Sequence, residues 1–459
     1  MKTSANERMH PAVWPGALLI LISVGRLPEL LTFLAPLHVG KIAVLWAVAA
    51  IIAGPRDIGN APVFDQRLAR LLVVWFGFAV VSVLWSVRRS YSLGFLFGGL
   101  LINMILFFVL ARTTTNIRTL RFYAGTLLLA AGLLSVTAAR VALTSAEGRI
   151  AVSGAYDPND LAMVLVMLLP LAVAWLFALR GMGRAVMLLL CGVMLVGTLL
   201  TGSRGGFLGL VAVGAYLCCA RLPRSDGKLG ARFTPGKFAA AALAVIVLLA
   251  ATPASVWERI GSMGSLEQDY NLTDSTGRIA IWERGLEAMI ARPWGYGVKA
   301  FEAVEGRQGG RYKAAHNIWI EIGVELGVQG IVLLALVLGT AFGIARHVRL
   351  QPPRGPPHHW VLPVALGLRG ALIGYLVTGF FLSAAYASVL FAVLGVFAGL
   401  HNVVRAPEPV IDDAPEDEGT PSARASAAGR RRAGTPVPIG GWRPISGERP
   451  RRTTTARRS

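Results

Sequence analysis

Long apolar runs alternate with short polar gaps along this chain, and the runs have the length that a bilayer crossing demands. A membrane-spanning helix needs about 20 predominantly apolar residues. Runs of that kind cover 13–34, 38–54, 68–86, 91–111, 119–141, 159–179, 184–202, 205–221, 238–253, 317–345, 361–381 and 385–402. The pattern predicts an all-α integral membrane protein with about 12 transmembrane helices. The first two runs are the weakest, because Arg26, Pro28 and Glu29 interrupt one and the other is short. The opening MKTSANER lacks the features of a cleavable signal, and its first apolar run leads straight into another, as in an uncleaved anchor.

The gaps set the organisation. Residues 1–253 carry helices one to nine, 254–315 form one large loop with short amphipathic helices, and 316–402 carry the last three helices. Residues 403–459 are a tail rich in Pro, Gly, Ala, Ser and Arg, with an acidic patch (Asp412, Asp413, Glu416, Asp417, Glu418) ahead of an arginine-rich end. So little apolar content predicts disorder. Arg and Lys collect in alternate short loops, among them Arg67 and Arg70, Arg118 and Arg121, Arg180 and Arg184, and Arg346 and Arg349. Placed inside, these loops put both termini in the cytoplasm and the large loop on the extracytoplasmic, periplasmic side.

Composition agrees. Hydrophobic residues make up 54% of the chain and charged ones only 15%, well under the roughly 25% of soluble domains. The net charge of +20, from 45 Lys and Arg against 25 Asp and Glu, sits in the gaps and the tail. Topology and attraction of the tail to anionic headgroups account for it better than nucleic acid does. Cys191, Cys218 and Cys219 all lie within apolar runs, which excludes a disulfide framework. No metal-ligand spacing occurs, so neither metal nor cofactor is expected.

Candidate chemistry lies on the outer side. Arg149, Asp157 and Asn159 belong to the stretch GRIAVSGAYDPND, and Arg204 stands between two apolar runs in TGSRGG. Arg204 is either a snorkelling helix end or a guanidinium facing an anion, since its planar fork suits phosphate oxygens. The stretch DSTGRIAIWERGLEAMIARPWGYG reads as an amphipathic helix with Asp274, Ser275 or Thr276 as N-cap. Ile279, Trp282, Leu286, Met289 and Ile290 form its apolar stripe, and Pro293 and Gly295 end it. Arg278 falls in the first turn, where a cation is unfavourable unless it pairs with Asp274 or an anion binds there. Trp282 reads as a core or interface anchor rather than a sugar platform.

Among the histidines only His38 and His316 fall outside, and His316 stands where the large loop meets the tenth span. An imidazole there is either structural or a general base. Below it Asn317, Glu321 and Glu325 repeat at four-residue spacing. On a straight helix Glu325 lies about 13 Å in from His316, a depth at which Arg369 of the eleventh span can meet it as a structural ion pair.

Four stretches carry a resemblance: GAYDPNDLAMVLVMLLPL at 154–171, LLTGSRGGFLGL at 199–210, GRIAIWERGLEAMIARPWGYG at 277–297 and AHNIWIEIGVELGVQG at 315–330. In this order, around one large loop, they resemble the O-antigen ligase and polymerase superfamily of polytopic GT-C-type glycosyltransferases. The ligase-like region covers about 190–345 within a resemblance spanning about 60–400. The resemblance implies transfer of a glycan from a polyprenyl-diphosphate donor to an acceptor hydroxyl, metal-independent and inverting, at the outer face of the bacterial inner membrane. The acceptor would be a lipid or a glycan. By position, Arg204 and Arg278 would hold the donor diphosphate, and His316 would orient or deprotonate the hydroxyl. Asn317, Arg149, Asp157, Asn159 and Trp282 would line the substrate site. A polysaccharide polymerase is the alternative within the family, and a multi-span transporter or flippase the alternative of another class.

Overall fold

The computed structural model describes residues 9–54, 61–144, 151–152, 156–224, 229–230, 234, 236, 277–350 and 358–405. Arg149, the ninth apolar run at 238–253, the loop residues 254–276 and the tail beyond Arg405 lie outside them. The described chain is helical throughout. Its helices are α1 (Val13–Ser23), α2 (Val39–Ala53), α3 (Arg67–Ser82), α4 (Arg89–Thr113), α5 (Ile117–Thr144), α6 (Pro158–Ala178), α7 (Gly181–Leu200) and α8 (Arg204–Cys219). They continue with α9 (Arg278–Ala291), α10 (Phe301–Arg307), α11 (Ile318–Leu350), α12 (Val361–Gly379) and α13 (Ser388–Arg405). The β-pairing among the described residues consists of the isolated bridges Val152–Tyr156 and Pro223–Leu229.

Among the described residues eight helices are long and apolar enough to cross a membrane: α3 with its extension to Trp85, then α4, α5, α6, α7, α11, α12 and α13. Three shorter apolar helices, α1, α2 and α8, coincide with further predicted runs. The first run divides, because Arg26 takes a left-handed conformation at φ 53° and a separate turn follows at Leu27–Leu30. The chain is thus a multi-pass, all-α membrane protein.

The centre of the bundle is the pair α6 and α12, flanked by α7 and α8. Apolar helices gain little from hiding from lipid, so close van der Waals approach must hold them together. A glycine stripe on α12 supplies it. A Cβ on Gly367 would stand 2.6 Å from Leu171 Cα, and one on Gly370 would stand 2.4 Å from Pro170 Cβ. α13 lies on α4, and α11 on α3 and α12, enclosing Trp75, Phe107, Phe391 and Phe397.

One departure from a plain bundle matters for function. α11 is broken at Gly327, where φ is 68° and ψ −167°, a region that only glycine occupies readily. A first segment, Ile318–Leu326, is therefore redirected before the long second segment begins. At this break the loop packs in: Tyr296 N–H donates to Val324 O, Gly297 N–H to Glu325 O, and Val328 N–H to Pro293 O, each at 2.9 Å. The carbonyls orphaned by the break are thereby satisfied.

Candidate active site

α9 starts at Arg278 with Gly277 as N-cap and no side-chain cap, so Arg278 stands in the first turn as its sequence suggests. The proposed caps Asp274, Ser275 and Thr276 lie outside the described residues. The apolar stripe needs correction. Ile279, Leu286 and Ile290 are exposed, Ile290 by 80%, while Ile281, Gly285 and Ala288 are buried. The reason is closeness: a Cβ on Gly285 would stand 2.5 Å from Ile320 Cγ2. The helix packs on α11 by its small face, and bulk alone points to the wrong side. Trp282 and Met289 flank that face and pack against the same cluster. Arg284 Nη2 meets Glu305 Oε1 at 2.7 Å, and Lys313 N–H donates to Glu305 Oε2 at 2.9 Å, which ties α9, α10 and the approach to His316 together.

His316 is held by its backbone. It adopts φ 48°, and its N–H donates to Ser383 Oγ at 2.8 Å. Next to it, Trp282 Nε1–H donates to Ala315 O at 2.9 Å. Asn317 is buried and caps α11, its Oδ1 accepting from Trp319 N–H at 2.9 Å and Ile320 N–H at 3.2 Å. Burial pushes the imidazole below its ordinary pKa, and the nearby charges of Arg278 and Lys313 act in the same direction. Asp157 opposes them. Burial and these cations thus favour the neutral imidazole, the form that can accept a proton.

Asp157 reaches the site from α6. Its Oδ1 accepts from Asn159 N–H at 2.7 Å and Asp160 N–H at 2.8 Å, with Pro158 in the first helical position, a strong N-terminal arrangement. The exposed carboxylate thus caps a helix, and its charge is felt at His316. Asn159 follows it, half-buried, in the first turn of α6.

Arg204 opens α8, where Ser203 Oγ accepts from Gly206 N–H at 3.1 Å. The next residues seat it: a Cβ on Gly205 would lie 3.1 Å from Phe381 Cβ, and one on Gly206 2.6 Å from Ala162 Cβ. Both candidate arginines are thus first residues of helices, at ends where an anion is favoured.

The hub that gathers these elements is the turn between α12 and α13, which the sequence reading passed over. Phe380 packs edge-on against Trp282 at 5.5 Å, Phe381 meets the start of α8, and Ser383 holds His316. Ala385 N–H donates to Glu321 Oε2 at 3.1 Å, and Tyr386 Oη–H to Glu325 Oε2 at 2.8 Å. In the sequence its only signals are Ser383 and Tyr386 in FFLSAAYAS, polar groups in the gap between two spans.

The expected Glu325–Arg369 pair does not form. Glu325, 1% exposed, accepts from Lys299 N–H at 2.8 Å, Phe301 N–H at 3.3 Å and Tyr386. Arg369 lies over the Tyr216 ring at 5.8 Å. The pairing left the Glu325 carboxylate free for another helix, whereas the break at Gly327, two residues on, lets the loop come down and occupy it. Lys299, also missed, places its Nζ 3.9 Å from Glu321. Burial disfavours its charge, but Glu321 and Glu325 outweigh that and hold its pKa above the usual lysine value. Among the described residues no cluster of three or more His, Cys, Asp or Glu has the arrangement of a metal site.

Residues 186–335 match the family model described as O-antigen ligase. The match runs from α7 into α11 and takes in Arg204, Arg278, Trp282, His316, Asn317 and Glu325, but not Asp157, Asn159 or the turn at 380–387. No curated protein matches the chain.

Proposed function

We infer the function from the premise that the match supports the O-antigen ligase superfamily as this chain's family, and hence a membrane enzyme of cell-surface polysaccharide biosynthesis. In this reading the chain transfers a glycan from a polyprenyl-diphosphate donor to an acceptor hydroxyl on a lipid or a growing glycan, at the extracytoplasmic face of the bacterial inner membrane, with both termini in the cytoplasm. What supports it above all is that three distant segments meet one turn beside these residues: Gly205, next to Arg204, at Phe381; Trp282, one turn on from Arg278, at Phe380; and the His316 backbone at Ser383.

Arg204 and Arg278 bind the diphosphate oxygens in bidentate fashion. His316 accepts the proton as the acceptor oxygen attacks the anomeric carbon and the bond to the diphosphate breaks. Polyprenyl diphosphate leaves, its growing negative charge met by fixed guanidinium groups, and attack from the opposite side inverts the anomeric centre. The arginines supply the charge, so the step is metal-independent. Asp157 and Asn159 border the acceptor side, while Asn317 and Trp282 position His316 through the α11 cap and the Ala315 carbonyl.

The test is glycan transfer in reconstituted membranes from a lipid-diphosphate donor with EDTA present. Activity persists in EDTA and collapses in Arg278→Ala and His316→Ala. Full activity in both variants, or dependence on a divalent cation, overturns the mechanism. The transport alternative drew on a mid-membrane Glu325–Arg369 couple, and Glu325 is instead occupied by the loop.

A further inference from the structure

At the end of α11 away from His316, a cleft of about 420 Å³ lies between α3, α11 and α13. Its rim carries Arg67, His347, His401 and Arg405, and its wall runs along Gly339, Thr340 and Gly343 of α11. Arg67, His347 and Arg405 are exposed, and none of the four forms an ion pair with an acidic side chain among the described residues. Arg67 opens α3, with no acidic residue in that first turn, where a cation is disfavoured by the helix dipole.

The rim is rigidly built. Gln66, buried beside Arg67, donates through Nε2 to Ala398 O at 3.3 Å and to Asn402 Oδ1. Asn402 Nδ2 in turn donates to Ala111 O at 2.8 Å and Thr114 O at 3.2 Å. These bonds anchor the start of α3, where Arg67 stands, on α13, which carries His401 and Arg405. Below the rim, a Cβ on Gly339 or Gly343 would meet nothing within 4 Å, so the two glycines leave an open furrow on an exposed helix face.

We propose that this cleft binds an anionic phospholipid, its phosphate on Arg67 and Arg405 and an acyl chain in the furrow at Gly339 and Gly343. A cationic rim continuing into an apolar furrow suits an amphiphile rather than a free anion, and basic clefts between spanning helices suit anionic headgroups. The site stands apart from the proposed catalytic end and does not depend on it.

Native mass spectrometry of the full chain tests this, with phosphatidylglycerol, phosphatidylcholine of the same acyl chains, and inorganic phosphate as probes. Phosphatidylglycerol is retained over phosphatidylcholine, and the double variant Arg67→Gln/Arg405→Gln weakens it about 25-fold. Gly343→Leu fills the furrow and weakens phosphatidylglycerol with every cation in place, which keeps the test sound if the double variant folds poorly. Equal retention of the two lipids, or unchanged affinity in both variants, overturns the proposal. Displacement by millimolar phosphate with Gly343→Leu silent overturns it too, and marks a free-anion site.

Discussion

Replacing Gly327 with alanine tests whether the loop is seated on the broken helix as described. At φ 68° and ψ −167°, an alanine there costs about 1–3 kcal/mol in backbone strain. The new Cβ would also stand 2.1 Å from Pro293 O and 2.7 Å from Trp294 Cα, so this backbone must move. Movement breaks the 2.9 Å bond from Val328 N–H to Pro293 O, worth about 1 kcal/mol. Together the penalty is about 2–4 kcal/mol, which multiplies the open population of the 293–301 segment about 30- to 700-fold. Hydrogen exchange at the Tyr296 and Gly297 amides, which donate to Val324 O and Glu325 O, should accelerate by that factor. Gly339→Ala is the control: its Cβ meets nothing within 4 Å, and alanine is the better helix former. Unchanged exchange at Tyr296 and Gly297 in Gly327→Ala would refute the seating of the loop.

Further outcomes follow from the same contacts. Glu325→Gln puts an NH2 donor where one carboxylate oxygen accepts, so at least one of the Lys299, Phe301 and Tyr386 donors loses its buried partner; unfolding in detergent should show a loss of about 1–3 kcal/mol. Arg369→Leu acts separately, through Tyr216, so the double variant should be additive, and suppression of one by the other would restore the ion pair. Transfer should fall on the acid side as His316 takes up its proton, below the ordinary imidazole range. Lys313 lowers that pKa and Asp157 raises it; Lys313→Gln thus moves the acid limb to higher pH. Asp157→Asn keeps an N-cap and moves it to lower pH, so shifts of the same sign in the pH–rate profiles would contradict the assignment. Trp282→Phe keeps the ring against Phe380 but loses the donor to Ala315 O; kcat should drop by about fivefold, the equivalent of one hydrogen bond.

The spans were legible because twenty apolar residues admit few other structures, and α3 to α8 and α11 to α13 coincide with predicted runs. The positions of Arg204 and Arg278 at helix starts, and of His316 just ahead of one, were legible for a different reason, as charged or titratable groups placed beside apolar runs. Two kinds of information were not. Packing by small residues is invisible to a count of bulky ones, so the stripe on α9 was assigned to Ile279, Leu286 and Ile290 while Gly285 and Ala288 make the contact. Breaks within an apolar run are equally silent: Gly327 in VELGVQG looks like any helical glycine, and nothing in the sequence shows that the loop seats at this break and occupies the Glu325 carboxylate two residues before it. The turn at 380–387 is short and mostly apolar, and only its position between Trp282, Gly205 and His316 gives it meaning.

The central claim is a division of labour, with the two arginines holding the diphosphate and His316 taking the proton. Binding of a polyprenyl diphosphate to the purified chain, measured alongside single-turnover transfer, tests it most directly. Arg204→Gln and Arg278→Gln should each weaken binding by tenfold or more, as loss of a charge-assisted contact does, whereas His316→Ala should bind as wild type does and fail to transfer. Loss of binding in His316→Ala with binding intact in both arginine variants would contradict the account.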